Sequence, residues 1–323
     1  MLIYNVILTS IDVTLLLISV TVYVFICCQL IKRDPDFPIK FYGILIINNT
    51  FEFVFIFVEY FIVRLPFLNF LNDWYSSLKV FPGIIYGLSV YLPCVIGFGH
   101  LTQVINRFII IKFPFSFEKI FNKWLVGFLF LLQFFFPFII LVWCWSETGS
   151  VTVLEDKSAT YLELKDFNKQ YKSIIFGICS IMISCTACCF FGIWSFILVV
   201  KMRNGKNASQ LRREINLFVF VSFEILSQIL LIIVAIFQVI SGSISYNEQI
   251  YFVTLHVYPF SEDLLCLING LILLITCKTV RSKYFQFYGN ILACQKCVFI
   301  KSTFTRKLSS NRINAALSNN NNF

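Results

Sequence analysis

Leu125 to Trp145 reads LVGFLFLLQFFFPFIILVWCW, a stretch with no charged side chain and with Gln133 as its one amide. A helix rises 1.5 Å per residue, so roughly 20 apolar residues cross a ~30 Å hydrocarbon core. The segment therefore predicts a membrane-spanning helix. Working outward, Ile7 to Ile31, Phe41 to Val63, Phe81 to Ile111, Ile174 to Val200, Ile215 to Ile240 and Tyr251 to Cys277 have the same character. Seven such segments predict an all-α membrane protein built as a seven-transmembrane helix bundle. Composition agrees, because 58% of the 323 residues are hydrophobic and only 13% charged, too few charges to cover a soluble globule of this size.

The basic residues orient the bundle. Of 26 Lys and Arg, 20 fall in alternate gaps: Lys32 to Lys40, Arg107 to Lys123, Lys201 to Arg213, and from Lys278 onward. The other gaps hold Arg64, Lys79, Lys157, Lys165, Lys169 and Lys172. Positive charge accumulates on the cytosolic side, so the N-terminus is expected outside and the C-terminus in the cytosol, with Arg64 in an outer loop. The net charge of +9 then faces anionic lipid and does not argue for nucleic acid as a partner. No basic stretch precedes the first apolar run, which is read as a retained helix and not a signal peptide.

One seven-span bundle is expected over residues 1–288, followed by a cytosolic tail, 289–323, that is basic and rich in Asn and Ser and expected to be disordered. The outer segment from Ser146 to Lys172 reads either as a short hairpin or as a disordered cover. None of the 12 cysteines falls in an outer loop, which argues against an extracellular disulfide. Cys294 and Cys297 make half of a zinc spacing with no second half. Acylation and an inert thiol are the readings left for that pair, and no cofactor or metal is expected.

Ionisable groups inside spans are expensive and usually face the bundle interior. Glu52 and Glu59 lie seven residues apart in the second span, two turns along one face; His100 and Arg107 repeat that spacing in the third. Glu224 and Gln228 in the sixth lie one turn apart on one face, placed to hydrogen-bond each other, with a structural bond to a neighbouring helix as the preferred reading. Glu262 and Asp263 in the seventh are adjacent acids deep in the membrane. Pro93, Pro137 and Pro259 fall within spans, where proline interrupts the hydrogen-bond ladder and opens space.

At the end of the third span, Ile105-Asn106-Arg107-Phe108 with Pro114 seven residues after the arginine resembles the Asp-Arg-Tyr segment and loop proline of rhodopsin-like receptors. Asn-Arg in place of Asp-Arg, and Trp124 opening the fourth span, are more similar to the nematode chemosensory serpentine receptors, class gamma in particular. The seventh span, from Glu262 and Asp263 through Asn269-Gly270 to Lys278 and Arg281, resembles the same class. Two departures stand out: Asp is absent before Arg107, and Asn-Gly replaces Asn-Pro.

The resemblance implies a chemosensory G-protein-coupled receptor in the plasma membrane, with sensory cilia as one destination. Its partners would be the lipid bilayer, an external small molecule and a heterotrimeric G protein. It places the switch at Asn106, Arg107 and Glu214, the last at the inner start of the sixth span. It places the ligand pocket at Ser89, Val90 and Pro93 on the third span and Tyr258, Glu262 and Asp263 on the seventh. An enzyme is not expected, because His100 and His256 fall toward opposite faces and supply no clustered ligand set. The competing reading is a ligand-gated ion channel or transporter whose pathway is lined by Glu52, Glu59, Glu262 and Asp263.

Overall fold

The computed structural model describes residues 2–65, 81–144, 147–153, 160–202, 208–241 and 248–291, together with Trp74 and Ser77. Within them the apolar segments are helices. The first span is Leu2–Ile31, the second is Ile39–Glu59 continued by a π-helical turn over Tyr60–Arg64, and the third is Phe81–Lys112. Asn122 starts the fourth by accepting a hydrogen bond from the Leu125 amide at 3.0 Å. That span runs as Lys123–Phe135 and Phe138–Cys144 on either side of Pro137. The proline lacks an N–H and its ring collides with the preceding turn, so the ladder breaks there. Pro93 and Pro259, in contrast, sit inside continuous helices.

The fifth span is Phe167–Met202 and the sixth Ala208–Val239, each starting seven residues before the apolar run expected from the sequence. Hydropathy marks only the part of a helix that lies in lipid, whereas the backbone ladder continues into water. The seventh comprises Glu248–Cys266 and Ile268–Thr276, which meet at 45°. With that pair counted as one, seven helical spans among the described residues are long and apolar enough to cross a membrane.

The third span is the hub. Of its membrane window 78% is buried, against 22% for the fourth, and it packs on the second, fourth, fifth and sixth spans. The fourth turns Phe128, Leu131, Phe135 and Val142 outward, where lipid covers them. Lipid is as apolar as these side chains, so helices associate through close packing and interhelical hydrogen bonds. Gly270 shows the first device: a Cβ there would stand 2.7 Å from Ser19 Cα. The first and seventh spans meet at this point, and Ser19 Oγ donates to the carbonyl of Leu267, the residue at the bend, at 2.6 Å.

The outer segment forms an antiparallel hairpin, β1 (Gly149–Val153) with β2 (Thr160–Leu164), in register from Gly149↔Leu164 to Val153↔Thr160. It packs against the third span, Leu164 is buried, and a Glu147–Lys169 ion pair joins its base to the fifth span. Of the two readings of this segment, the hairpin is the one observed. The described cysteines are all free thiols.

The chain divides into two compact units, Met1–Cys277 and Lys278–Phe323. In the second, residues 278–291 are helical, with the Tyr284 ring against Phe285 and Tyr288. The tail beyond residue 291, including Cys294 and Cys297, lies outside the described residues.

Candidate functional site

Seven residues of α-helix rise about 10.5 Å, so Glu59 and Glu52 on the second span, and His100 and Arg107 on the third, stand at different depths. Glu52 and His100 meet, at 3.2 Å. The bundle interior is thereby divided into three polar layers about 10 Å apart, within a ~30 Å hydrocarbon core.

The outer layer centres on Arg64. Its guanidinium pairs with Asp12 of the first span and, at 2.5 Å, with Asp263 of the seventh, and a third contact reaches the Pro259 carbonyl at 3.4 Å. The Tyr60 ring lies 4.7 Å from the guanidinium carbon. The expected outer-loop position of Arg64 is therefore corrected: it is a bundle residue, and the π-turn is the reason. In an α-helix a five-residue step from Glu59 would leave Arg64 about 140° away around the axis. An i→i+5 turn brings the two to one face.

Glu59 and Glu262 complete this layer, at 1% and 0% exposure. Neither oxygen of either carboxyl has a hydrogen-bond partner. The Tyr258 hydroxyl and the Glu59 carboxyl are the polar neighbours of Glu262, and Arg64 acts on it electrostatically.

The middle layer is a connected network. Glu52 accepts from Asn48 at 3.1 Å and from Asn269 at 3.1 and 3.2 Å, one to each oxygen, while facing His100 Nε2. The other imidazole nitrogen meets Gln228 Nε2 at 2.6 Å, and Glu224 stands 3.7 Å from His100 Nε2. All six side chains are buried. Of the readings for Glu224 and Gln228, the interhelical one is observed: both meet His100, because the sixth span points this face at the hub helix. The bend after Cys266 makes Asn269 the seventh-span member: its amide also donates to Leu265 O at 3.0 Å.

In the inner layer Arg107 is 9% exposed, and its guanidinium lies 3.6 Å from the centre of the Phe41 ring. It does not extend to the surface. Asn106 Nδ2 donates to the Lys40 carbonyl at 2.7 Å, and Lys40 pairs with Glu118 in the short helix Phe117–Ile120 that follows the third span. The start of the second span is thus tied to both the end of the third and the segment after it.

A family model described as "Serpentine type 7TM GPCR chemoreceptor Srv" matches residues 13–289. The chain belongs to this family. The match covers all seven spans and agrees with the resemblance to nematode serpentine receptors, class gamma, read from Asn106-Arg107 and the seventh span. No curated protein sequence matches the chain. The protein is accordingly a multi-pass membrane protein of the seven-transmembrane chemoreceptor type.

In this chemoreceptor the expected site residues fall into separate places. Glu262 and Asp263 join the outer layer, with Tyr258 beside them. Val90 and Tyr258 pack on one apolar cluster, but the Ser89 hydroxyl turns back to the Tyr86 carbonyl at 2.9 Å, and Pro93 is buried inside its helix. Asn106 and Arg107 lie in the inner layer, whereas the side chain of Glu214 lies outside the described residues. Sequence reading missed Asp12, Arg64, Asn48 and Asn269 as members of these networks. Asp12 carried a usable signal, being the one acid in the first apolar run.

Proposed function

We propose that this chemoreceptor binds an external small molecule in the outer half of its bundle and activates a heterotrimeric G protein at its inner face. The observation that supports this most is the column of buried polar groups: Arg64 with Asp12 and Asp263, then Glu52 with His100 and Asn269, then Asn106 and Arg107. Buried polar groups in a membrane are costly unless partnered. The second, third, sixth and seventh spans all contribute to the middle layer, so a shift of one span at the outer layer re-pairs groups below it.

The ligand pocket comprises Ser89, Val90, Pro93, Tyr258, Glu262 and Asp263, beneath the hairpin. The N-terminus is outside, residues 1–288 form the receptor proper, and 289–323 is a cytosolic tail. The plasma membrane, and sensory cilia within it, is the destination. Arg107, with Asn106 and Glu214, forms the switch, since a guanidinium that leaves the Phe41 ring presents a fork of donors to an incoming protein. A channel or transporter has less support, because Asp263 and Asp12 are closed by Arg64 and Glu52 by two amides.

Nucleotide exchange on purified G protein tests the reading. Wild-type receptor accelerates exchange, Arg107→Ala at matched surface level does not, and Arg107→Lys does so weakly. Full activity in Arg107→Ala removes the arginine from the switch, and absence of exchange with every G-protein class removes the coupling.

A further inference from the structure

We propose that the outer layer binds a protonated organic amine, its ammonium seated between Glu59 and Glu262. The inference rests on the receptor reading for placing the ligand end in this layer and deepens it by naming the ligand's charge. Four carboxyl groups, those of Asp12, Glu59, Glu262 and Asp263, share the one guanidinium of Arg64 among the described residues of the layer. Arg64 is committed to Asp12 and Asp263 at its two terminal nitrogens, which leaves Glu59 and Glu262 facing each other with the Tyr258 hydroxyl beside them and no basic side chain donating to either carboxyl. Both are essentially inaccessible. Two carboxyls so placed hold together by sharing a proton or by sharing a cation, and an ammonium replaces that proton with one charge and three donors.

The surroundings choose among cations. No group of three or more His, Cys, Asp or Glu with metal-holding geometry occurs among the described residues, and oxygen-rich cages are what hard divalent ions require. The walls are instead aromatic and aliphatic: Tyr258, Tyr60 and Tyr86 flank the layer, with Ile62, Ile85 and Leu265 in the adjoining apolar cluster. A short alkyl chain suits that lining, and an amine with a pKa near the lysine value of about 10.4 is cationic at neutral pH.

The test uses full-length receptor in lipid nanodiscs, with hexylammonium, its neutral isostere hexan-1-ol and sodium chloride as probes, and reads the thermal unfolding midpoint. Hexylammonium is expected to raise the wild-type midpoint saturably. Glu59→Gln and Glu262→Gln, each made singly, are expected to weaken its apparent affinity at least tenfold, and hexan-1-ol to have no saturable effect. An equal response to alcohol and amine, an unchanged affinity in both variants, or sodium alone giving the full saturable shift overturns the proposal. Glutamine keeps the volume of glutamate and removes one buried charge, so the variants retain the fold; the hexylammonium dose series is read relative to each variant's own baseline. The wild-type exchange assay is scored separately. Exchange without amine binding leaves the receptor reading standing, and amine binding without exchange removes that reading but not this site.

Discussion

Arg64 and Arg107 are both arginines at the end of a span, yet their surroundings set them to opposite tasks. Arg64 is held by two carboxylates from different helices, so it fastens the first, second and seventh spans together at the outer end. Removing one partner of a buried ion pair leaves uncompensated charge and typically costs about 3–5 kcal/mol. Arg64→Gln is therefore expected to lower the unfolding midpoint and surface delivery sharply, and a variant as stable as wild type would show the pairs to be dispensable. Arg107 lies on the Phe41 ring, a contact of about 0.5–2 kcal/mol. Phe41→Leu keeps an apolar side chain of similar size but removes the ring face, and basal nucleotide exchange should rise several-fold; an unchanged basal rate would mean that other contacts hold Arg107 at rest. Glu214→Ala, if Glu214 shares in that restraint, should raise basal exchange as well.

At the scale of elements, the breaks in the helices carry as much information as their continuous parts. The π-turn after Glu59 turns Arg64 inward, the bend after Cys266 presents Asn269 to Glu52, and Pro137 divides the fourth span. The approach of the first span to the seventh depends on Gly270, where any Cβ meets Ser19 backbone. Gly270→Val should force the two helices apart and also disturb the Ser19 bond to the Leu267 carbonyl. Overpacking of this kind costs about 1–3 kcal/mol, to be read as a lower unfolding midpoint in nanodiscs. Gly127→Ala, at a position with no neighbour within 4 Å, is the matched control and should leave the midpoint unchanged. A variant at Gly270 as stable as this control would show that the close approach is not required.

At the scale of the whole molecule, topology is the first matter to test. An epitope placed before Met1 should be accessible to antibody on intact cells, and one after Phe323 only after permeabilisation. Labelling of the C-terminal epitope on intact cells would invert the bundle and move the acidic outer layer to the cytosolic side, which would undo the ligand assignment together with the coupling assignment.

The sequence by itself determined the seven spans and the depth of the polar residues within them, Arg64 excepted, because hydropathy and a rise of 1.5 Å per residue are properties of the local chain. It also located Asn106-Arg107 and the acids at 262 and 263, since charge in an apolar run is conspicuous wherever it faces. Only the tertiary structure decided who meets whom. Arg64 reads as a loop residue until a π-turn changes its direction, Gln228 reads as an interhelical donor with no named partner until His100 meets it, and nothing local says that Asn48 and Asn269 both reach Glu52. These partnerships are set by the rotation of each helix about its axis and by single breaks in the backbone ladder. Such features depend on contacts between residues as much as 248 positions apart, and no local pattern encodes them.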